Sequence, residues 1–275
     1  MNPWLETTGV ILIALCGVFV GRICSRFRKP YWVLGYILPS ILILMLALVR
    51  FNNALYFVRP FCWIAVGRFR FVVLSVAVSM GLTVPLSRLP YKIEKLIVCL
   101  LMAGFVVWFS VMPIVVPALL KERLSNIETK FDKNCICRQT TDYTCGPAAA
   151  VTALGKLGLK AEEGELAVLS YSSPVMGTLP ECLTSALRSR YGADGLNCRY
   201  RSFDSIDQLK SAGITLAVVR DAFLLNHCLA ILEVTDDAVT VADPVTGVRL
   251  MPHRQFEKIW RFSGIVLQRN PMQSI

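Results

Sequence analysis

At position 145 a cysteine stands before Gly146 and Pro147 and opens an alanine-rich run, CGPAAAVTAL, that reads as a helix. A thiol becomes a nucleophile when its thiolate is stabilised, and a helix N-terminus does this with unpaired amides and the positive end of its dipole. Pro147 suits a first turn, where its missing N–H costs nothing, and Gly146 allows a close backbone approach beside the sulfur. Cysteine alone decides little, because free cysteines are often buried and the chain has ten. A cysteine hydrolase also needs a base, and the chain has 2 histidines, His227 and His253. His227 opens the apolar run HCLAILEV, and Asp243 closes the next one, AVTVAD. A hairpin turning at Thr235–Asp237 sets positions 227 and 243, each eight residues from 235, opposite each other. The carboxylate would then fix the imidazole tautomer and stabilise the imidazolium. Gln139, six residues before Cys145, could donate its amide to the carbonyl oxygen that turns negative on attack.

The elements that must position these residues follow from hydrophobic periodicity. Helices are expected near 146–157, 162–170, 180–190 and 204–211, and strands in the runs that begin at Ile214, His227, Ala238 and Gly264. Helices first and strands second indicate an α+β domain, placed at 135–275. His253, in MPHRQFEKIW, reads as the start of a solvated helix, and Cys228 should face away from His227. Cys135-x-Cys137 is too tight for the usual zinc pair and has no second pair, so no metal is expected.

Ahead of this domain the composition changes. Residues 1–120 hold 11 of the basic residues and two acids, a net of +9, leaving +1 of the chain's +10 for the rest. The basic residues interrupt apolar runs instead of lining a face with aromatics, which excludes a nucleic-acid partner and points to a lipid bilayer. Four runs, beginning at Thr8, Tyr31, Phe71 and Ile97, approach or exceed the ~20 apolar residues that cross a bilayer. The third is the shortest. A fifth stretch, Ala54–Val66, is shorter and carries Arg59-Pro60 at its middle, so it reads as interfacial or re-entrant. No Lys or Arg precedes the first run and no small-x-small cleavage site precedes Arg22, so this run is expected to remain as an anchor. The charged stretch 121–134 reads as a linker. The basic loops RICSRFRKP and SRLPYKIEK would face the cytoplasm, which sets the domain outside the membrane.

The stretch QTTDYTCGPAAAVTAL, followed by His227 and then Asp243-Pro244, resembles the bacteriocin-processing cysteine peptidases that remove double-glycine leaders, a papain-like family. The resemblance covers Cys135 to Arg269, about half the chain. It implies Gln139 in the oxyanion hole, Cys145 as nucleophile, His227 as base, Asp243 as its orienter, a peptide or protein substrate and no cofactor. The best-known members are fused to a transporter ATPase, but this sequence contains no G-x-x-x-x-G-K-[ST] loop, so ATP is not an expected partner. The expectation is a papain-like cysteine peptidase behind about four transmembrane spans, an integral protein of a bacterial plasma membrane. The alternative is an inactive papain-like module that binds peptides without cutting them, against which the intact set of catalytic residue types argues.

Overall fold

A computed structural model describes residues 3–28, 30–222 and 225–270, so Lys29 of the first basic loop lies outside the described residues. The chain divides into two compact units, Met1–Leu119 and Leu120–Ile275. In the first, helix α1 spans Pro3–Ser25, a 3-10 turn at Tyr31–Tyr36 runs into α2, Ile37–Phe51, and a 3-10 turn at Asn53–Phe57 leads to the short α3, Phe61–Ala65. Then come α4, Phe69–Thr83, α5, Lys92–Val106, a π turn at Val107–Val111, and α6, Met112–Leu119. Four stretches are long and apolar enough to cross a membrane: Trp4–Ser25, Tyr31–Phe51, Phe69–Ser87 and Lys92–Leu119. They coincide with the four runs read from the sequence. Around Arg59-Pro60 the fifth stretch makes only the 3-10 turn and the 5-residue α3, too short to span.

The third span has the lowest mean hydropathy, 1.8, yet it is the most enclosed. Val73, Ser75, Ala77, Val78, Ser79, Met80 and Thr83 of α4 are buried. Its hydroxyls return to carbonyls of their own helix, Ser75 to Val72 at 2.8 Å and Thr83 to Ser79 at 2.6 Å, so they need no water. Small residues let α1 lie directly on this face. A Cβ on Gly17 would sit 2.2 Å from Ser79 Oγ, and one on Gly21 would sit 2.7 Å from the Met80 carbonyl oxygen. An ion pair between Glu6 and Arg68 ties the start of α1 to the residue before α4.

The second unit begins with α7, Lys121–Ser125, then a small hairpin of β1, Lys130–Phe131, and β2, Cys137–Arg138. The stretch expected as a linker therefore carries a helix and a strand, and its Leu124 is buried. Helices α8, Cys145–Lys156, α9, Glu163–Leu169, and α10, Pro180–Tyr191, follow, then β3, Leu196–Ser202, α11, Ile206–Ala212, β4, Thr215–Ala222, β5, Leu225–Val234, β6, Ala238–Asp243, β7, Gly247–Pro252, α12, His253–Ile259, and β8, Trp260–Arg269. Six strands make one antiparallel sheet in the order β3-β8-β4-β5-β6-β7. One face carries Leu216, Ala230, Ala242, Ile265 and Leu267 against α8 and α10, and the other carries Ala217, Leu229, Ile231, Val241 and Val266 against α11 and α12. Ala148, Ala149, Ala150 and Ala153 of α8 are wholly buried, and their small size lets that helix settle closely onto the sheet.

Strands β3 and β7 were not anticipated, and both lie on the sheet's edges. In β3, buried Leu196 and Cys198 alternate with exposed Asn197 and Arg199, the pattern of an edge strand with one dry face. In β7, only Gly247 and Met251 are buried and Pro252 closes the strand, so its apolar signal is weak.

The hairpin of β5 and β6 also departs from the expected register. Near its turn the pairs are Val234↔Val239 and Glu233↔Thr240, but beyond a bulge at Leu232 they become Ile231↔Val241 and Ala230↔Ala242. Continuing this ladder by one residue sets Asp243 opposite Leu229, so His227 is its diagonal neighbour on the same face. Without the extra residue, Asp243 would fall opposite Ala230 and point to the other side of the sheet. The bulge keeps the two side chains together.

Gly21→Ala should destabilise the helical unit by about 1–3 kcal/mol, since the methyl meets backbone that cannot move aside. Gly9→Ala, with nothing within 4 Å of its Cβ, should be neutral or stabilising. Thermal melts of the detergent-solubilised protein followed by circular dichroism compare the two, and equal melting temperatures would refute the close contact of α1 with α4.

Candidate active site

Cys145 is the first residue of α8, partly exposed, and the first helical hydrogen bond runs from Ala148 N–H to the Thr144 carbonyl at 3.0 Å. The N–H groups of Cys145 and Gly146 therefore have no acceptor within the helix, and Pro147 has none to offer. Two backbone donors and the positive end of α8 stand beside the sulfur. Thr144 is buried and braces the preceding turn through its hydroxyl, which donates to the Thr141 carbonyl at 3.0 Å. At Gly146 an added Cβ would lie 3.1 Å from Thr178 Cβ, so a larger residue would press on the loop that covers the helix start.

His227 and Asp243 meet as their shared face requires. His227 Nε2 lies 3.0 Å from Asp243 Oδ1, with side-chain exposures of 16% and 10%. The ring's other nitrogen, Nδ1, is left for Cys145, which lies near enough to raise the basicity of the imidazole. Burial works against a charged ring, but hydrogen bonds to Asp243 and Cys145, with their negative charges, outweigh it and push His227 up to about 10. Asp243 is fixed by its own turn, where Oδ1 accepts from Val245 N–H and Oδ2 from the Thr246 hydroxyl, each at 2.8 Å. Burial opposes its charge as well. The bonds from His227, Val245 and Thr246 prevail and hold the carboxyl well below the usual carboxylate range. At neutral pH the imidazole is charged, with the carboxylate of Asp243 on one side and the sulfur of Cys145 on the other.

Gln139 follows β2 and is tied to the same turn, its backbone N–H donating to the Pro244 carbonyl at 3.1 Å. The side chain of the preceding Arg138 donates to the Val245 carbonyl. The Gln139 amide donates through Nε2 to the Thr141 carbonyl at 3.1 Å, while Oε1 is buried with no hydrogen-bond partner among the described residues. Because an amide oxygen could not face the Thr141 carbonyl, this contact fixes which end of the amide is NH2. The second N–H of that group stays available to an external oxygen.

Sequence reasoning named Cys145, His227, Asp243 and Gln139 but not the groups that hold them. Val245 and Thr246 left a signal, since a carboxylate before a proline turn commonly accepts from the residues that follow. The Cys145 amide was implicit in the helix start. Cys228 lies on the α8 side of β5, away from His227 as expected, and burial, with the charge of Cys145, pushes its thiol well up. Cys135 is exposed while Cys137 is buried, and burial, with the charge of Glu163, pushes Cys137 up to about 12.

Comparison with known proteins bears on the second unit. Residues 133–274 match the model of the peptidase C39 family. An uncharacterised protein of Methanothermobacter marburgensis is 30% identical over 134 residues, which are 49% of this chain and 88% of that protein. Among solved structures, the peptidase domain of Streptococcus ComA, a bi-functional ABC transporter involved in a quorum sensing pathway, is 19% identical with a TM-score of 0.43, covering 48% of this chain and 96% of that one. A double glycine motif protease from an AMS/PCAT transporter, solved in complex with the leader peptide, is 16% identical with a TM-score of 0.43, covering 53% and 96%.

With 2 histidines in the chain, selective carbon-13 labelling reads His227 directly, assigned through His253→Gln. In the native protein its imidazolium should persist until about pH 10. Asp243→Asn removes a cause that raises the value and leaves burial, which lowers it, so the titration should move toward neutrality. An unmoved midpoint would refute the assignment of Asp243 as the group that sustains the imidazolium.

Proposed function

The chain belongs to the peptidase C39 family, and we propose that it is a membrane-anchored cysteine peptidase acting through Cys145, His227, Asp243 and Gln139. The observation that carries this reading is the His227–Asp243 pair, 3.0 Å apart, with its imidazole under the influence of a thiol at the start of a buried helix. Such a pair costs desolvation of charged groups and earns nothing for packing that apolar residues could not supply. Its use is chemical.

In this mechanism the Cys145 thiolate attacks the carbonyl carbon of a peptide bond. The oxygen takes up the negative charge and is met by the free N–H of Gln139 Nε2 and the backbone N–H of Cys145. His227, charged and oriented through Nε2 by Asp243, gives its Nδ1 proton to the leaving amine as the C–N bond breaks, which leaves a thioester on Cys145. Water then attacks the thioester, His227 takes its proton, and the acid leaves as the thiolate is restored. The family suggests a peptide substrate, and the neighbour solved with a leader peptide supports looking first at peptides ending in double glycine.

The four apolar stretches serve as the anchor. The connections carrying Arg26 and Arg28, and Arg88, Lys92 and Lys95, fit a cytoplasmic side. Since the peptidase unit follows the fourth span, it then works on the outer face. Against this stand Arg50, Arg59, Arg68 and Arg70 in the second connection, of which Arg68 is paired with Glu6.

Two measurements test these assignments. A peptidyl electrophile ending in Gly-Gly should label the native protein at Cys145 in a one-to-one ratio, and Cys145→Ala should abolish both labelling and peptide hydrolysis while leaving the melting temperature unchanged. Turnover retained in purified Cys145→Ala protein would refute the peptidase reading. For the membrane side, a membrane-impermeant maleimide applied to intact cells should reach exposed Cys135 in Cys145→Ala protein, with Cys135→Ser removing that label. Labelling of Cys135 only after permeabilisation would set the unit in the cytoplasm.

A further inference from the structure

Glu163 is a fully buried carboxylate outside the catalytic chain. Both its oxygens are spent on one residue: Oε1 accepts from Thr140 N–H and Oε2 from the Thr140 hydroxyl, each at 2.8 Å. Thr140 adjoins Gln139. Because β2 ends at Arg138, the Thr140 N–H has no strand to pair with, and a buried amide without an acceptor would push the chain into another path. Glu163 is itself held. Its N–H donates to Thr129 Oγ1 at 2.9 Å, and the next residue, Gly164, packs so closely that an added Cβ would lie 2.4 Å from the Leu124 carbonyl oxygen.

We propose that Glu163 is a positioning residue for the oxyanion donor, fixing the arm that carries Gln139 by gripping Thr140; the inference rests on the peptidase reading above. Gln139 is anchored on one side by Pro244 and Arg138 by Val245, both in the turn that holds Asp243. On the other side the anchor is Thr140 on Glu163. A charge-assisted grip by both carboxylate oxygens fixes the peptide plane and side chain of Thr140 together, which a single neutral bond would not do. The nucleophile does not depend on this anchor. Cys145 is set by the buried body of α8, where Thr152 Oγ1 accepts from Cys137 N–H at 2.9 Å. Loss of Glu163 should therefore loosen the oxyanion donor while leaving the thiol as reactive as before.

The test uses the full-length, detergent-solubilised protein, hydrolysis of the p-nitrophenyl ester of N-acetyl-Gly-Gly, and the rate of Cys145 alkylation by iodoacetamide, which forms no oxyanion. Gln139→Ala should lower kcat about a hundred-fold. Glu163→Ala should lower kcat about ten-fold with KM and the alkylation rate unchanged, and should cause no further loss when added to Gln139→Ala, because both changes act on one donor. Glu163→Gln, which keeps a carbonyl oxygen for the Thr140 N–H, should recover most of the rate. Equal losses from Glu163→Ala in both backgrounds, or a parallel loss of alkylation, would reduce Glu163 to a structural residue and overturn the proposal. If Glu163→Ala fails to fold, Thr140→Val, which removes only the hydroxyl, takes its place; a drop in kcat confined to the Gln139 background supports the proposal, and no drop overturns it. Native protein that does not turn over, or Gln139→Ala as active as native, would overturn the peptidase reading or the oxyanion role of Gln139, and this proposal with it.

Discussion

The contact between His227 Nε2 and Asp243 Oδ1 is the constraint on which the second unit is arranged. It joins two strands through side chains whose direction depends on an odd or even count of residues back to the turn. The bulge at Leu232 sets that count. A strand that carried one residue fewer would preserve the ladder of hydrogen bonds and the apolar alternation near the turn, yet would send the carboxylate and the imidazole to opposite faces. The ion pair is also exacting about its surroundings. A buried carboxylate must have its lone pairs met, and the turn after Asp243 meets them with Val245 and Thr246 before the imidazole is counted. That turn therefore has two tasks, and the second is to receive the arm from β2.

The arm from Cys137 to Thr144 crosses from strand β2 to the start of α8 with almost no regular structure, and it is fixed point by point. Cys137 N–H goes to Thr152 on α8, Arg138 to Val245, Gln139 N–H to Pro244, Thr140 to Glu163, and Thr141 N–H to Thr144 Oγ1. The holds come from α8, the turn after Asp243, α9 and the turn before α8. The result is a loop as constrained as a strand but free to present a side-chain amide that no ladder occupies. The unpartnered Gln139 Oε1 is the cost of that freedom.

Much of this was legible in the sequence, and the failures have physical reasons. The helix at Cys145 was readable because Pro147 and the alanines speak locally, and the pairing of His227 with Asp243 followed from the hairpin arithmetic in direction, though not in register. A bulge is invisible to periodicity because Leu232 simply extends the apolar run Leu229, Ala230, Ile231. Edge strand β3 escaped because Asn197 and Arg199 on its outer face dilute the apolar signal, and β7 because only Gly247 and Met251 of its residues are buried. Glu163 escaped for a deeper reason. In a sequence a glutamate at a helix start looks like a dipole partner facing water, and only the fold shows both of its oxygens turned inward on Thr140. The third span was read from the sequence as the shortest, and the serines and threonine that lower its hydropathy are what allow α4 to be enclosed.

The two units solve close approach in the same manner with different residues. In the first, glycines on α1 bring its backbone against α4, because in an apolar solvent the gain comes from contact and not from hiding hydrocarbon. In the second, alanines on α8 bring that helix against the sheet, where hydrocarbon burial adds to contact. The second case has a chemical consequence. Because α8 settles closely on the sheet, its first residue lies beside β5, where Cys145 acts on both Cys228 and His227. A bulkier residue at Ala148 or Ala149, both wholly buried, would lift α8 from the sheet and carry Cys145 away from β5 before the fold itself gave way.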